Sequence, residues 1–258
     1  MLALAALSAP PELAPTLPPP AMLHIGGHHA EEAKRYAEAG FGERVVFIEA
    51  MPEAHAICAH VAASHGQACL QALLWDQDGA ELSFHVTTDA AGNRWSSSVF
   101  ELTAAHERWA EHVRARPLVQ LQLQAHRLDT LVARHPTLLG VKFTHLVLDV
   151  QGAELQVLRG MGELLQQLPL QTAVIESSAT ELYAGQALQA EIARFMRGVG
   201  FHCIENCACE FHCDAVFVPE RAPEKTREKG ASAPQLGRIR CVSEACAARQ
   251  RAVAVGVK

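Results

Sequence analysis

Long apolar runs are missing from this 258-residue chain, and no stretch is long enough to span a membrane. A basic surplus is missing too. The formal charge is -6 and the pI about 6.1, which excludes a general nucleic-acid binder. The opening residues, MLALAALSAPP, carry no basic n-region, so no signal peptide is expected. The eight cysteines are accordingly expected as mostly reduced thiols in the cytoplasm. No internal repeat of useful length is visible. What is present is a 49% hydrophobic content in 27.9 kDa, enough for one large α/β domain with a sizeable core.

Three parts follow from composition. Residues 1–20 are an Ala-, Leu- and Pro-rich lead-in. Residues 21–219 hold the regular elements. Residues 220–258 form a basic tail of charge +5, which leaves -11 for the rest, and the tail is expected to be largely disordered. Within the middle part, strands and helices alternate. Residues 22–25 read as a strand entering Gly26-Gly27, residues 31–39 as a helix stopped by Gly40, and residues 45–48 as a β-branched strand closed by Glu49. A helix over 53–65 and a third strand over 68–74 follow. Residues 81–86 and 98–102 alternate like a hairpin with Gly92 and Asn93 in its turn. Helices are expected over 104–116 and 128–135. A buried strand over 145–150 carries Asp149 at its end, and a helix spans 152–160. Residues 172–175 form a strand closed by Glu176. Leu188, Ile192, Phe195 and Met196 lie on one face of a helix over 186–198. Residues 201–205 and 214–218 close the domain as a strand pair on a short connection, which must be antiparallel. The alternation predicts a mostly parallel sheet covered by helices on both faces.

The first βαβ unit carries the sharpest chemistry. Gly26 and Gly27 let the backbone approach a ligand closely, and the helix start after them offers unpaired N–H groups. Glu49, closing the next strand, is placed to take both hydroxyls of a ribose. Its alternative is an ordinary surface acid. His28 and His29 either line a cofactor or substrate pocket or stand exposed at the helix start. Asp149 ends a buried strand where ligands bind in such sheets, and its alternative is to cap the following helix. Glu176 either faces the same crevice or forms a plain salt bridge. Ser96, Ser97 and Ser98 form a polar turn or a substrate-side loop.

Four segments together resemble the FkbM-type S-adenosylmethionine-dependent methyltransferases. They are HIGGHHAEEAKRYAEAG with VVFIEAMP; ALLWDQDGAELSFHV with SSSVFEL; LDTL with HLVLDVQGAELQVLRGM; and VIESSATELYAGQ followed by a helix, GF and CDAVFV. They occur in the family's order over residues 22–219, and LDVQGAELQVLRG is the most specific. The resemblance implies a Rossmann-like fold with a seven-stranded sheet, S-adenosylmethionine as cofactor, and O-methylation of a carbohydrate or natural-product hydroxyl. It matches Gly26 to the first glycine of the cofactor loop, with Gly27 beside it, Glu49 to the ribose-binding acid, and Asp76 to the neighbourhood of the adenine. Asp149 and Glu154 match the acids of the D-x-E-G-x-E signature. Asp149, His28 and Glu176, in that order, are the candidates for removing the acceptor proton. The loop departs from the family's Asp-x-Gly-x-x-x-Gly at two positions, with His24 for the Asp and Ala30 for the last Gly. Gln151 stands where many members have Glu. Acceptor identity and oligomeric state are not legible. The expected partner is a small molecule or glycan, with no nucleic acid.

A second reading is a non-catalytic, methyltransferase-like binding protein. It rests on the altered loop and on Cys203, Cys207, Cys209 and Cys213, four soft ligands within eleven residues that suit zinc, although Cys-x3-Cys-x-Cys-x3-Cys is not a common zinc spacing. Cross-strand cysteines without metal are the alternative, and no metal is assigned to the methyl-transfer site.

Overall fold

Seven strands form the central sheet of the computed structural model, which describes residues 18–88, 94–104, 116–209 and 211–220. Strands β1 (Met22–Ile25), β2 (Val45–Glu49), β3 (Ala68–Gln71), β7 (His145–Leu148) and β8 (Thr172–Ser178) run parallel. Strand β10 (His212–Pro219) enters antiparallel to β8, and β9 (Phe201–Glu205) pairs antiparallel with β10. The order is β3-β2-β1-β7-β8-β10-β9. Every residue of β1, β2 and β7 is buried, as a parallel strand covered on both faces requires.

Alternation along the strands sends side chains to two cores. One face packs Leu23, Ile25, Ile48, Leu146 and Leu148 against Leu155 and Leu158 of α4 (Glu154–Gly160) and Ile192 and Met196 of α6 (Gln189–Gly198). The other packs Met22, Phe47 and Val147 with Tyr36 of α1 (Ala33–Glu38) and Cys58 of α2 (Pro52–Ala63). Two more helices, α3 (Leu128–Arg134) and α5 (Leu164–Gln167), complete those described. Among the described residues no helix is long and apolar enough to cross a membrane.

Several local expectations change. The stretch 68–74 is not one strand. It breaks at Ala72, whose N–H donates to the Glu49 carbonyl at 3.1 Å, and Leu73–Leu74 (β4) leaves the main sheet. That strand joins a three-stranded sheet, β4-β6-β5, with β6 (Arg116–His126) in the middle and β5 (Glu81–Thr88) antiparallel to it. The partner of β5 is therefore β6, not residues 98–102. Ser98 makes only a bridge to His85, and Leu102 bridges to Tyr183. The Leu/Gln alternation over 121–124 is a two-residue period in a stretch that the sequence reading left unassigned. The rest of the helix expected over 104–116, the turn at Gly92 and Asn93, the first 17 residues and the tail beyond residue 220 lie outside the described residues.

The cysteines also differ from expectation. Disulfides join Cys58 to Cys69, Cys203 to Cys207 and Cys209 to Cys213. Helix α2 packs on β3, which brings Cys58 and Cys69 to a Cα separation of 6.0 Å. Paired sulfurs are not thiolate ligands, so the four-cysteine zinc reading loses its donors. Cys241 and Cys246 lie outside the described residues.

Candidate active site

Strand order reverses between β1 and β7, and at such a switch point the two following loops diverge and leave a crevice. Ile25 pairs with Leu148, so Gly26 and Asp149 emerge side by side. The approach is close: a Cβ on Gly26 would lie 1.7 Å from the Asp149 carbonyl oxygen, and Gly26 has φ +84°. Only glycine fits there. The N–H groups of Gly26 and Gly27 both donate to the Ile48 carbonyl, at 2.9 and 3.0 Å.

Past the glycines the loop coils tightly, with His28 at φ +42° and the fully buried Ala30 at φ +57°. Ala30 thus adopts the left-handed conformation for which a glycine would serve, at a cost of about 1–2 kcal/mol. Glu49 holds the loop down. Its Oε2 accepts the His28 N–H at 2.8 Å, and its Oε1 accepts the Met51 N–H at 2.8 Å. Burial pushes the Glu49 carboxyl up, and these two N–H donors work against that shift. Each oxygen still has a second lone pair for a ligand hydroxyl.

Gly26, Gly27, His28, Glu49 and Asp149 line one cleft of about 980 Å³, its open mouth included. The sequence reading brings these five together at one place. Two others fall outside the lining. Asp76 is not among the lining residues, and its carbonyl accepts Arg127 Nη1 at 2.9 Å. Glu176 lies behind Gln151, with its Oε1 2.9 Å from His212 Nε2.

The loop after β7 is knitted together internally. Gln151, at φ +55°, donates from Nε2 to Asp149 Oδ1 at 2.5 Å and to Glu176 Oε2 at 2.7 Å. Its Oε1 accepts the Tyr183 hydroxyl at 2.5 Å, and its carbonyl accepts the Ser98 hydroxyl at 2.6 Å. An amide at position 151 can donate to both neighbouring carboxylates, which a third carboxylate could not do. Glu154 turns back on the same loop and accepts the N–H groups of Val150 and Gly152, each at 3.1 Å. Burial, reinforced by the charge of Glu176, raises its carboxyl well above the usual range.

Sequence reasoning missed Glu32, Trp95 and Arg94 in the cleft lining, and it read His24 as a departure of the cofactor loop. Glu32 is buried against the cleft, and burial, with Glu31 adding to it, pushes its carboxyl up to about 8. Nothing in the sequence separates it from Glu31. His24, also in the lining, bonds to the Tyr36 hydroxyl through Nδ1 at 3.2 Å, and burial lowers its pKa to about 4, so it is neutral. Trp95 and Arg94 close the mouth, with Arg94 ion-paired to Glu53. At the mouth, His28 Nδ1 lies 2.8 Å from Glu31 Oε1, while His28 Nε2 is buried with no protein partner. His29 stacks on His28 at 3.7 Å, and burial and that neighbour lower its basicity.

Two solved structures resemble this chain in fold. One is Streptococcus pneumoniae Sp1610, provisionally assigned as a tRNA (m1A22) methyltransferase, with 11% identity, TM-score 0.37, and coverage of 80% of this chain and 66% of that one. The other is M. capricolum TrmK with S-adenosylhomocysteine, with 7% identity, TM-score 0.39, and coverage of 81% and 66%. The chain thus spans about two thirds of the length of each. No curated protein sequence matches it. A methyltransferase FkbM domain model matches residues 23–203, most of the chain, and the protein belongs to that methyltransferase family, whose cofactor is S-adenosylmethionine.

Proposed function

We propose that the protein moves the methyl group of S-adenosylmethionine to a hydroxyl of a carbohydrate or natural-product acceptor, with Asp149 as the base. One observation carries this reading: the glycine turn, Glu49 and Asp149 meet at a single cleft. The residues suit the cofactor. Gly26 and Gly27 offer a backbone that a ligand can approach, Glu49 has lone pairs for the ribose hydroxyls, and Leu73, Leu74 and Met51 supply an apolar wall for the adenine. The buried, unpartnered His28 Nε2 is a polar atom that a bound ligand would satisfy.

Glu32 answers the departure at His24. The negative charge that the family carries at position 24 is replaced by a neutral imidazole, and Glu32 supplies a carboxylate in the same cleft to face the methionine ammonium. Its neighbours Glu31 and Asp149 disfavour a lone charge there, so a cation restores the balance.

When bound, the cofactor presents a methyl group on a sulfonium that is already electrophilic. The protein must align the acceptor oxygen and take its proton. Asp149 accepts that proton as the acceptor oxygen bonds to the methyl carbon. Gln151 fixes the Asp149 carboxylate through its amide, and Glu176 and Tyr183 fix Gln151. His28 is the second candidate base, with its Nδ1 held by Glu31. Glu176 acts through Gln151 rather than on the acceptor. Trp95 and Phe84 give the cleft apolar faces suited to a sugar or polyketide ring, and Ser97 gives it a hydroxyl.

The test uses methyl-labelled cofactor and a panel of glycosides and hydroxylated natural products. Label is expected on oxygen, and Asp149→Asn is expected to slow transfer by ~10²–10⁴. Transfer only to nitrogen or carbon, or an undiminished rate in Asp149→Asn, would overturn the proposal.

A further inference from the structure

We propose that His28, His29 and Glu31 bind one divalent transition-metal ion of the zinc or cobalt type at the mouth of the cleft. The site shares His28 and Glu31 with the cleft of the methyl-transfer reading, and it does not depend on the acceptor's identity.

Three candidate ligands converge at this turn. One ligand atom from each residue lies within 4.8 Å of the others. The Glu31 oxygen Oε1 is 2.8 Å from His28 Nδ1 and 3.8 Å from His29 Nδ1. Atoms held ~2.1 Å from a common ion stand roughly 3.4 Å apart at the tetrahedral angle, and the two separations bracket that value. The carboxylate is already oriented, because its other oxygen accepts the His29 N–H at 3.2 Å.

The backbone explains why these groups converge. Left-handed backbone at His28 and Ala30 folds the loop so that both imidazoles come near the same carboxylate, and a side-chain rotation of the half-exposed His29 off its stack on His28 would aim both rings at one ion. A plain His28–Glu31 pair does not need a second imidazole stacked on the first. The surroundings favour a cation as well. Glu31, Glu32, Glu49 and Asp149 line the cleft, and Arg94, the one guanidinium among its described lining residues, is paired with Glu53.

Two imidazoles and a carboxylate suit zinc-like ions more than magnesium or calcium, which prefer oxygen. Three protein ligands leave a coordination position for water or an acceptor oxygen, and the site borders both the cleft and the adjoining groove that includes Met51 and Ile57.

The experiment is equilibrium dialysis of metal-stripped full-length protein against Co²⁺, read by absorption. We expect one equivalent bound with ligand-field bands and no thiolate-to-cobalt charge-transfer band. His29→Ala and Glu31→Gln, both at the surface, should each weaken binding at least ~10-fold with an unchanged melting temperature. No cobalt retained by folded protein, equal affinity in both variants, or a thiolate band pointing to the cysteines would each overturn the proposal.

Discussion

The two loops that flank the cleft lie side by side and are built on opposite principles. The loop after β1, with the Glu49 carboxylate at the end of β2 that holds it, leaves polar atoms for a ligand: Glu49 uses one lone pair per oxygen on the backbone, and His28 Nε2 has no protein partner. The loop after β7 spends its polar atoms on itself, with Gln151 bonded to Asp149, Glu176 and Tyr183, and Glu154 bonded to two backbone N–H groups. The first loop is arranged to bind and the second to orient. Variants in the first should change cofactor affinity, and variants in the second should change the rate of the chemical step.

The most damaging change should be the one that strikes both loops. Gly26→Ala drives a methyl group into the Asp149 carbonyl at a φ that alanine resists. A stability loss above ~3 kcal/mol and abolished cofactor binding are expected, read by thermal unfolding and calorimetry. Asp149→Asn should come next, costing ~3–5 kcal/mol of transition-state stabilisation while cofactor affinity stays within a few-fold, measured as kcat against Kd. Glu49→Gln should give the mirror image. Affinity is expected to fall ~10–100-fold, the worth of a charge-assisted hydrogen bond, in a titration against the parent protein.

Smaller effects sharpen the contrast. Replacing Cys58 and Cys69 by alanine opens the loop that ties α2 to β3, and under oxidising conditions about 2–3 kcal/mol of stability should be lost in denaturant unfolding. Glu32 gives a pH signature. Its folded pKa, about 8, lies above the ordinary 4.5, so the folded state holds the proton more tightly. Its stabilising contribution is therefore complete below pH 4.5 and is lost as pH rises to about 8. Glu32→Gln should flatten that slope in unfolding curves. If Glu32 faces the cofactor ammonium, binding near neutral pH should also release close to one proton, detectable by calorimetry in buffers of different ionisation enthalpy.

How much of this was legible depends on the range of the interactions. The glycine turn, Glu49 and Asp149 stand out because each signal is local: an apolar run, then a glycine or an acid at its end. The network around Gln151 is not local. Its partners Glu176 and Tyr183 come from 25 and 32 residues away, and no spacing announces them. Glu32 is indistinguishable from Glu31 until the turn before α1 buries one and leaves the other exposed. The break at Ala72 is invisible because residues 68–74 are apolar almost throughout, and the Glu49 carbonyl decides where the strand ends. Cysteine spacing suggests metal or unpaired cross-strand thiols and gives no sign of pairing, and only the packing of α2 on β3 brings Cys58 to Cys69.

The division of labour between the loops is tested most directly by calorimetric titration of S-adenosylmethionine into the parent protein, Glu49→Gln and Asp149→Asn side by side. The account predicts one site in the parent, the same site at nearly the same affinity in Asp149→Asn, and clear weakening in Glu49→Gln. No binding by the folded parent, or a loss in Asp149→Asn that matches or exceeds the loss in Glu49→Gln, would contradict it.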